Sequence, residues 1–232
     1  MNSSRLPGKV LTEIEGVPSI LYQINRIKPV LSEDIGLVVA TTNTPKDDIL
    51  CNLLNKNKIK FYRGEEDNVL DRFAQCSLQY NSEFVIRLNA DCPLICPQLI
   101  KEVIDKMKNS NFDYASTILD ETYPLGMHIE IMKSKTLRSI NKLKLSPELR
   151  EHVTPFIYRN KEKFNLLSIA DEINNSNLRI TVDYPEDLEV VKEIASYFRG
   201  RKFYLKDIIK FLNSNPKISK KNSALLKSQK LN

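Results

Sequence analysis

The chain has 232 residues, of which 41% are hydrophobic and 28% are charged, and this is enough for one large domain that buries most of its apolar surface. No apolar run approaches the roughly 18 residues that span a bilayer, and the first residues lack the apolar stretch of a secretory signal. We therefore expect a cytoplasmic protein without membrane insertion.

The net charge of +6 is concentrated near the end of the sequence. Residues 217–232 contain five lysines and no acidic residue, whereas the rest of the chain has 30 basic and 29 acidic side chains. Nucleic-acid-binding segments commonly have aromatic or arginine side chains interleaved with their lysines. These lysines have none between them. We predict one domain over residues 1–212, a basic and partly disordered tail over 213–232, and no nucleic-acid partner.

The four cysteines are too few and too irregularly placed for a disulfide framework. Cys92 and Cys96 have a spacing that can hold a metal, but there is no second cysteine pair, and His128 and His152 are far away in sequence. A zinc site is therefore not expected.

The first half of the chain alternates between strand-like and helix-like patterns. An apolar run over 35–40 predicts a strand, and a turn at 43–45 leads into a helix over 47–54. The alternation continues with a strand over 59–62, a helix over 67–78, a strand over 83–90 and a helix that begins at Pro97. Strands that alternate with helices predict a mostly parallel sheet with helices on its faces.

The second half departs from this rhythm. Residues 127–132 alternate like a strand and 135–143 are more helical, which predicts an inserted or antiparallel element. Residues 178–182 alternate like a strand again, and Pro185 with the following acidic residues predicts a well-defined helix start.

Two aspartates directly follow predicted strands, Asp91 after 83–90 and Asp183 after 178–182. In open parallel sheets, ligands bind at the carboxyl ends of the strands. Mg²⁺ prefers oxygen ligands such as carboxylates and usually keeps waters and substrate phosphates in its other positions. The simpler alternative is that each aspartate caps the following helix, but two of them at equivalent strand ends favour a metal site.

The opening segment RLPGK, residues 5–9, combines two cations with a glycine. Gly8 allows the backbone to approach a ligand closely, and Arg5 and Lys9 on either side suit a polyphosphate. The segment is not a Walker A loop, because Ser3 and Val10 stand where that motif has Gly and Ser or Thr. Taken alone, such a turn is usually a solvated loop.

Six segments in order carry a family resemblance: SRLPGKVL at 4–11, GVP at 16–18, GEEDNVLDR at 64–72, RLNADCPL at 87–94, REHVTP at 150–155 and RITVDYPED at 179–187. They resemble the cytidylyltransferases of the spore-coat polysaccharide SpsF type, which are relatives of the CMP-sialic acid and CMP-Kdo synthetases. The resemblance covers residues 3 to about 216.

This resemblance implies an α/β fold: a Rossmann-like, three-layer (GT-A-like) nucleotidyltransferase with a mostly parallel sheet and a small antiparallel insertion. It also implies a Mg²⁺-dependent enzyme that transfers CMP from CTP to a sugar, releases pyrophosphate and serves the synthesis of a surface polysaccharide such as a spore coat. We expect the sugar to be acidic or otherwise modified.

The resemblance assigns roles to the residues singled out above. Arg5 and Lys9, with the backbone at Gly8, would bind the triphosphate, and Asp91 and Asp183 would hold Mg²⁺, with orientation of the acceptor as a second role for Asp183. Lys9, Asp91 and Asp183 are then the catalytic residues. The physics agrees, because cations and metal at the triphosphate neutralise the charge that grows on the leaving pyrophosphate.

Two further strand-end residues are predicted to contact the nucleotide. Arg87 lies near the end of the strand over 83–90, although a salt bridge to a neighbouring acid explains it equally well. Thr41 follows the strand over 35–40 and is a candidate for the base pocket, although a simple turn is an adequate explanation.

The polar residues of the middle region suggest where the acceptor binds. We assign Gly126, Glu130, Arg150 and His152 provisionally to acceptor binding or to a dimer contact, because the related synthetases are typically homodimers. His128 on its alternating strand is explained by packing, since a lone histidine is more often structural than catalytic.

The related proteins open with an apolar strand ahead of the counterpart of residues 2–4, whereas this sequence begins at Met1. We expect the native protein to have about ten further residues, in keeping with the usual strand length. Two alternatives to the cytidylyltransferase stay open: a nucleotidyltransferase with another base or a non-sugar acceptor, and an inactive nucleotide-binding scaffold.

Overall fold

The computed structural model describes residues 5–108 and 110–229. Within these ranges the strands are β1 (Glu13–Ile14), β2 (Val17–Pro18), β3 (Val39–Thr42), β4 (Phe61–Gly64), β5 (Phe84–Leu88), β6 (Tyr114–Ser116), β7 (Ile129–Lys133) and β8 (Leu166–Ser168). The α-helices are α1 (Ser19–Ile27), α2 (Asp48–Lys56), α3 (Val69–Gln79), α4 (Pro97–Lys108), α5 (Ser134–Asn141), α6 (Pro147–His152), α7 (Pro155–Arg159), α8 (Pro185–Tyr197), α9 (Leu205–Ser214), α10 (Pro216–Ser219) and α11 (Ser223–Gln229). None of the helices in these two ranges combines the length and the apolar character that crossing a membrane requires.

The described strands form an antiparallel ribbon of β1 and β2, a parallel pair of β3 and β4, and a four-stranded sheet in the order β5-β7-β6-β8. In that sheet β7 is antiparallel to β5 and β6, whereas β8 is parallel to β6. The predicted α/β fold class is confirmed, with a mixed sheet that contains parallel strands. The antiparallel element expected over residues 127–132 is β7.

Helices cover both faces of the four-stranded sheet because β7 alternates its apolar side chains between two clusters. Ile129 and Ile131 belong to the cluster that contains the apolar face of α4 and residues of α8 and α9. Met132 belongs to a second cluster, formed with residues of α3 and α5. A third cluster joins α1 and α2 to β3 and β4. This arrangement has the three layers that the resemblance implies.

The helices α4 and α8 show why the sequence folds this way locally. Each begins with a proline, which is tolerated in a first helical turn. The helix α4 buries the predicted apolar face, which consists of Leu99, Ile100, Val103, Ile104 and Met107. These side chains fix α4 against the sheet that precedes Asp91.

Two predicted strands differ from the structure. The strand expected over 35–40 is β3 at Val39–Thr42, where the chain pairs with β4. The segment 178–182 forms only an isolated parallel bridge, Leu125 with Arg179. Its backbone pairs with loop residues instead: Ile180 N donates to Leu125 O at 2.8 Å, and Val182 N donates to Asp91 O at 2.7 Å.

Much of the segment predicted as a tail is helical. The helix α9 crosses the expected boundary at residue 212, and α10 and α11 follow it. Lys221 forms ion pairs with Glu189 and Glu193 of α8, and Asn222 is only 1% exposed. The position of the domain boundary stays a prediction, and residues 230–232 lie outside the described part of the chain.

Candidate active site

Lys9 lies between two carboxylates. Its Nζ donates hydrogen bonds to Oδ2 of Asp91 at 2.9 Å and to Oδ1 of Asp183 at 2.6 Å. The three side chains are largely buried, with exposed fractions of 19% for Lys9, 22% for Asp91 and 9% for Asp183. Three residues that the sequence predicted to act together are therefore in direct contact.

The backbone at Gly8 directs Lys9 into this position. Gly8 has φ 69° and ψ 18°, a left-handed conformation that glycine adopts without a steric penalty. A short 3₁₀ helix, Lys9–Leu11, starts directly after it, and Leu11 N donates to Gly8 O at 2.8 Å. Gly8 is thus a turn residue ahead of Lys9, and a contact between its backbone and a nucleotide stays a prediction.

The carbonyl oxygen of Asp91 joins the two aspartates. It accepts hydrogen bonds from Val182 N at 2.7 Å and from Thr181 Oγ1 at 2.9 Å. Asp183 directly follows Val182 in the chain, so these two bonds place the side chain of Asp183 beside that of Asp91. The two aspartates meet because the segment 178–182 pairs with the loop after β5.

The loop that carries Asp183 is held by a buried carboxylate. Asp187, which is fully buried, accepts hydrogen bonds at Oδ2 from the backbone amides of Asp183 at 3.0 Å and Tyr184 at 3.1 Å. Its two oxygens also accept from Nε and Nη2 of Arg179, each at 2.7 Å. Bidentate pairs of this kind fix geometry as well as charge, so Asp187 orders the start of α8 around the site.

Burial and charge act in opposite directions on the central ion pair. Burial acts to raise the pKa of Asp183, but the hydrogen bond and the charge of Lys9, aided by Arg5 and Arg179, bring it below its usual value. Burial acts to lower the pKa of Lys9, but Asp91 and Asp183 bring it above its usual value. Both groups are therefore charged at neutral pH.

Arg5 lies at the rim of this cluster. Its Nη2 is 3.7 Å from Oδ1 of Asp183, and its guanidinium lies over the ring of Tyr184 at 5.1 Å from the centroid. The side chain is 43% exposed. The Arg5 guanidinium can therefore bind an anionic ligand that arrives from solvent at the position of Asp183.

The pair Asp91 and Asp183 suits one Mg²⁺ ion. The two carboxylates share the ammonium of Lys9 as a partner, and Mg²⁺ is usually held by one or two carboxylates together with substrate phosphates and waters. In the described ranges there is no group of three or more His, Cys, Asp or Glu side chains that is arranged for a metal. A metal at this site would thus complete its shell with substrate or water.

Arg87 and Glu130 pair with each other across the sheet. They are register partners on β5 and β7, and Arg87 Nη1 donates to Oε2 of Glu130. Oε1 of Glu130 accepts from Tyr114 at 2.7 Å and from Thr154 at 2.6 Å, and Glu130 is 2% exposed. The salt bridge offered above as the alternative for Arg87 is present; contacts of Arg87 with nucleotide and of Glu130 with acceptor stay predictions.

Thr41 turns its hydroxyl inward at the end of β3. The hydroxyl donates to Oδ2 of the buried Asp47 at 2.5 Å. The same oxygen accepts from the backbone amide of Thr42 at 3.0 Å and from its hydroxyl at 2.7 Å. The side chain of Thr41 orders this strand end, and its part in a base pocket stays a prediction.

The other predicted acceptor residues occupy different surroundings. Gly126 has φ 113°, and a Cβ there would lie 2.8 Å from the backbone of Ile180. Arg150 donates to Oδ1 of Asn68 at 3.3 Å and to the carbonyl of Leu143 at 2.9 Å, and thereby ties α6 to the start of α3. His152 is exposed at the end of α6. Packing against Ile180 explains Gly126 structurally, and hydrogen bonds explain Arg150. The role of Gly126, Arg150 and His152 in acceptor binding stays a prediction.

Two cavities, of about 280 and 360 Å³, share Glu121 and His128 in their walls. Burial lowers the pKa of His128, against the charges of Glu130, Glu121 and Asp91, so the imidazole is neutral at pH 7. His128 is thus a neutral group that can donate or accept a hydrogen bond in the wall of both cavities.

The second of these cavities is also lined by Tyr158 and Lys161. Sequence reasoning missed Glu121, Tyr158 and Lys161, because they stand at loops and helix ends without a periodic pattern. His128 belongs to the polar middle region that suggests an acceptor pocket, although packing explains it in the sequence; it lies directly before β7 and lines both cavities.

An α/β fold with cations and carboxylates gathered beyond its strand ends is typical of enzymes that act on phosphorylated ligands. The model of the family described as cytidylyltransferase matches residues 1–230. The chain therefore belongs to the cytidylyltransferase family.

Individual relatives agree with this assignment. The spore coat polysaccharide biosynthesis protein SpsF of Bacillus subtilis (strain 168) is 30% identical over 227 residues, which cover 93% of this chain and 92% of that protein. A 3-deoxy-manno-octulosonate cytidylyltransferase of Bradyrhizobium sp. (strain ORS 278) is 32% identical over 120 residues, 50% of this chain and 47% of that protein. A solved cytidylyltransferase structure from Leptospira borgpetersenii serovar Hardjo-bovis (strain JB197) has a TM-score of 0.89 at 29% identity and covers 94% of this chain and 92% of its own.

Proposed function

We propose that this protein is a Mg²⁺-dependent cytidylyltransferase that transfers CMP from CTP to a sugar and releases pyrophosphate. The observation that carries the proposal is the position of Lys9 between Asp91 and Asp183, with Arg5 at the rim. Two cations and two carboxylates at one place suit a triphosphate with its metal. Membership in the family and the names of its relatives support cytosine as the base.

In this reaction the protein acts chiefly by positioning the reactants and by stabilising charge, and it forms no covalent intermediate with the substrate. The sugar oxygen attacks the α-phosphorus while pyrophosphate leaves, and negative charge grows on the leaving group. Lys9 and Arg5 lie where they can bind this group, and Lys9 would exchange its two carboxylate partners for phosphate oxygens. Mg²⁺ held by Asp91 and Asp183 would supply further charge stabilisation at the phosphate oxygens.

The surroundings of Asp183 serve this chemistry by fixing geometry. Asp187 holds the backbone amides of Asp183 and Tyr184, and the carbonyl of Asp91 holds the segment just before them. Positioning of this kind matters because a small displacement of a reacting group can cost about a hundredfold in rate.

We assign the sugar to the cavities around Glu121 and His128. Glu121 and Tyr158 offer hydrogen-bonding groups for hydroxyls, and Lys161 offers a cation for a carboxylate, so an acidic sugar is the acceptor that fits. The Bradyrhizobium relative is named for a sugar acid, and the Bacillus relative for polysaccharide biosynthesis. The first name supports an acidic sugar as the acceptor, and the second supports a product that serves polysaccharide synthesis.

The proposal is tested by pyrophosphate release from each of the four nucleoside triphosphates, with a panel of acidic and neutral sugars, in the presence and absence of Mg²⁺. We expect turnover with CTP and an acidic sugar, and none without a divalent cation. Preference for another triphosphate would assign a different base. Absence of turnover with every pair would favour a nucleotide-binding scaffold.

A further inference from the structure

Asn222 is a buried polar residue in the segment predicted to be a tail. It lies between α10 and α11 and is 1% exposed. Its Nδ2 donates to Oδ1 of Asp187 at 2.9 Å and to the carbonyl oxygen of Arg179 at 3.1 Å. A segment near the end of the chain therefore reaches the two residues that hold the loop of Asp183.

The two oxygens of Asp187 divide their work. Oδ2 accepts from the backbone amides of Asp183 and Tyr184 and from Nη2 of Arg179, and Oδ1 accepts from Nε of Arg179 at 2.7 Å and from Asn222. Arg179 Nη2 in turn lies 3.5 Å from Oδ2 of Asp183. Arg179 holds both oxygens of Asp187, and Asn222 adds a further donor at Oδ1, so Asn222 helps to fix the orientation of the carboxylate that binds the amides of Asp183 and Tyr184.

We propose that Asn222 is a positioning residue for Asp183, which acts through Asp187 and Arg179. The inference rests on the proposed function, in which Asp183 helps to hold the metal. Asn222 touches neither substrate nor metal itself. The C-terminal segment, whose lysines suggested a solvated tail, contributes through this residue to the order of the active site.

The simpler explanation is that Asn222 only docks its segment onto α8, and Lys221 separates the two explanations. Lys221 pairs with Glu189 at 3.2 Å and with Glu193 at 2.5 Å, both on α8, so it fastens the same segment next to Asn222. In the described part of the chain, the ion pairs of Lys221 are with those two glutamates. Lys221→Ala therefore weakens docking alone and is the matched control.

The first measurement is the affinity for Mn²⁺ in the presence of CTP, which electron paramagnetic resonance determines. Residues that support metal ligands typically change metal affinity by about 10- to 100-fold when they are removed. We expect Asn222→Ala to weaken Mn²⁺ binding about tenfold and to lower kcat, whereas Lys221→Ala stays close to the native protein. Equal affinity in Asn222→Ala and the native protein, or an equal loss in both variants, would overturn the proposal.

Asn222→Asp keeps the size of the side chain but replaces the donor by an acceptor beside Asp187. We expect it to lose at least as much Mn²⁺ affinity as Asn222→Ala, and native affinity in this variant would show that the donor is not needed. If Asn222→Ala does not fold, Asn222→Ser replaces it with the same expectation and the same contrary result.

Hydrogen exchange gives a readout that needs no substrate. We expect the peptide over residues 179–188, which contains the amides of Asp183 and Tyr184, to exchange faster in Asn222→Ala than in Lys221→Ala. Identical exchange in the two variants would overturn the inference even if the enzyme is active. If this peptide exchanges faster in Asn222→Ala than in Lys221→Ala, but the native protein binds neither Mn²⁺ nor CTP, the result would instead overturn the proposed function.

Discussion

The ammonium of Lys9 lies 2.6 Å from Oδ1 of Asp183, a residue 174 positions further along the chain. This contact brings the loop near the start of the chain to the segment that precedes α8. It also means that the proposed metal position is lined by carboxylates that already have a protein cation as partner.

A first prediction concerns this competition. Lys9→Met removes the cation from between Asp91 and Asp183, so we expect Mn²⁺ alone to bind about tenfold more tightly, a coupling of ordinary size for two ligands at linked sites. Binding of CTP without metal should weaken about tenfold or more, because a charge-assisted hydrogen bond to phosphate is lost. Electron paramagnetic resonance and calorimetry measure the two affinities.

The exposed Lys101 on α4 provides the control, since Lys101→Met changes the same charge at a distance from the site. Native affinity for Mn²⁺ in Lys9→Met would show that Lys9 does not compete with the metal.

The second prediction tests the metal ligand directly. Asp91→Asn removes one carboxylate while its carbonyl still accepts from Val182 and Thr181, so the fold should be kept. We expect the Mg²⁺-dependent rate to fall about a hundredfold or more, as for the loss of a group that stabilises transition-state charge. Pyrophosphate release and circular dichroism are the measurements. Near-native turnover would exclude Asp91 from the site, and Asp34→Asn on the surface is the matched variant.

The third prediction concerns stability. Glu130 is the partner of Arg87 and accepts from Tyr114 and Thr154. Glu130→Ala leaves a largely buried guanidinium without its carboxylate, so we expect the free energy of unfolding to fall by about 3 kcal/mol. Urea denaturation checks this value. The surface pair of Glu102 with Lys106 is the comparison, because Glu102→Ala should cost less than about 1 kcal/mol.

The fourth prediction is a pH dependence at the end of β3. Burial acts to raise the pKa of Asp47, but its hydrogen bonds from Thr41 and Thr42 bring it well below the usual value. An aspartate with a depressed pKa contributes stability that is present above its unfolded pKa of about 3.9 and is lost as the pH falls through the folded value.

We therefore expect Asp47→Asn to be less stable than the native protein at pH 7 and to lose less of its unfolding free energy between pH 5 and pH 3. Thr41→Val removes one of the donors and should show a smaller change in the same direction. Urea denaturation at several pH values measures these curves, and parallel curves for the native protein and Asp47→Asn would contradict the assignment.

The sequence predicted one site for Asp91 and Asp183 because both follow strand-like segments, whose carboxyl ends meet at one edge of an α/β sheet, and the family resemblance added Lys9 to that site. It predicted α4 and α8 because apolar side chains recur on one face after a proline. The signals for α4 and α8 come from residues that are neighbours in the sequence, so they do not depend on contacts with distant parts of the chain.

The errors arose where the deciding partner is distant. Residues 178–182 alternate like a strand but pair with loops at Leu125 and Asp91, which no local pattern reveals. The partners of Glu130 depend on the order β5-β7-β6, and the cavity walls at Glu121 and Lys161 depend on loops. Asn222 looked like part of a solvated tail because its four nearest lysines dominate the composition there.

Gly126 places its main chain against that of Ile180, three residues before Asp183, with no space for even a methyl group. The loop that leads to His128 and the segment that leads to Asp183 are thereby braced as one unit. Under the proposed function, a change of sugar can involve the side chains of Glu121, Tyr158 or Lys161 alone, whereas any side chain at position 126 would also displace the segment that leads to Asp183. We therefore expect position 126 to stay glycine whichever sugar the protein accepts.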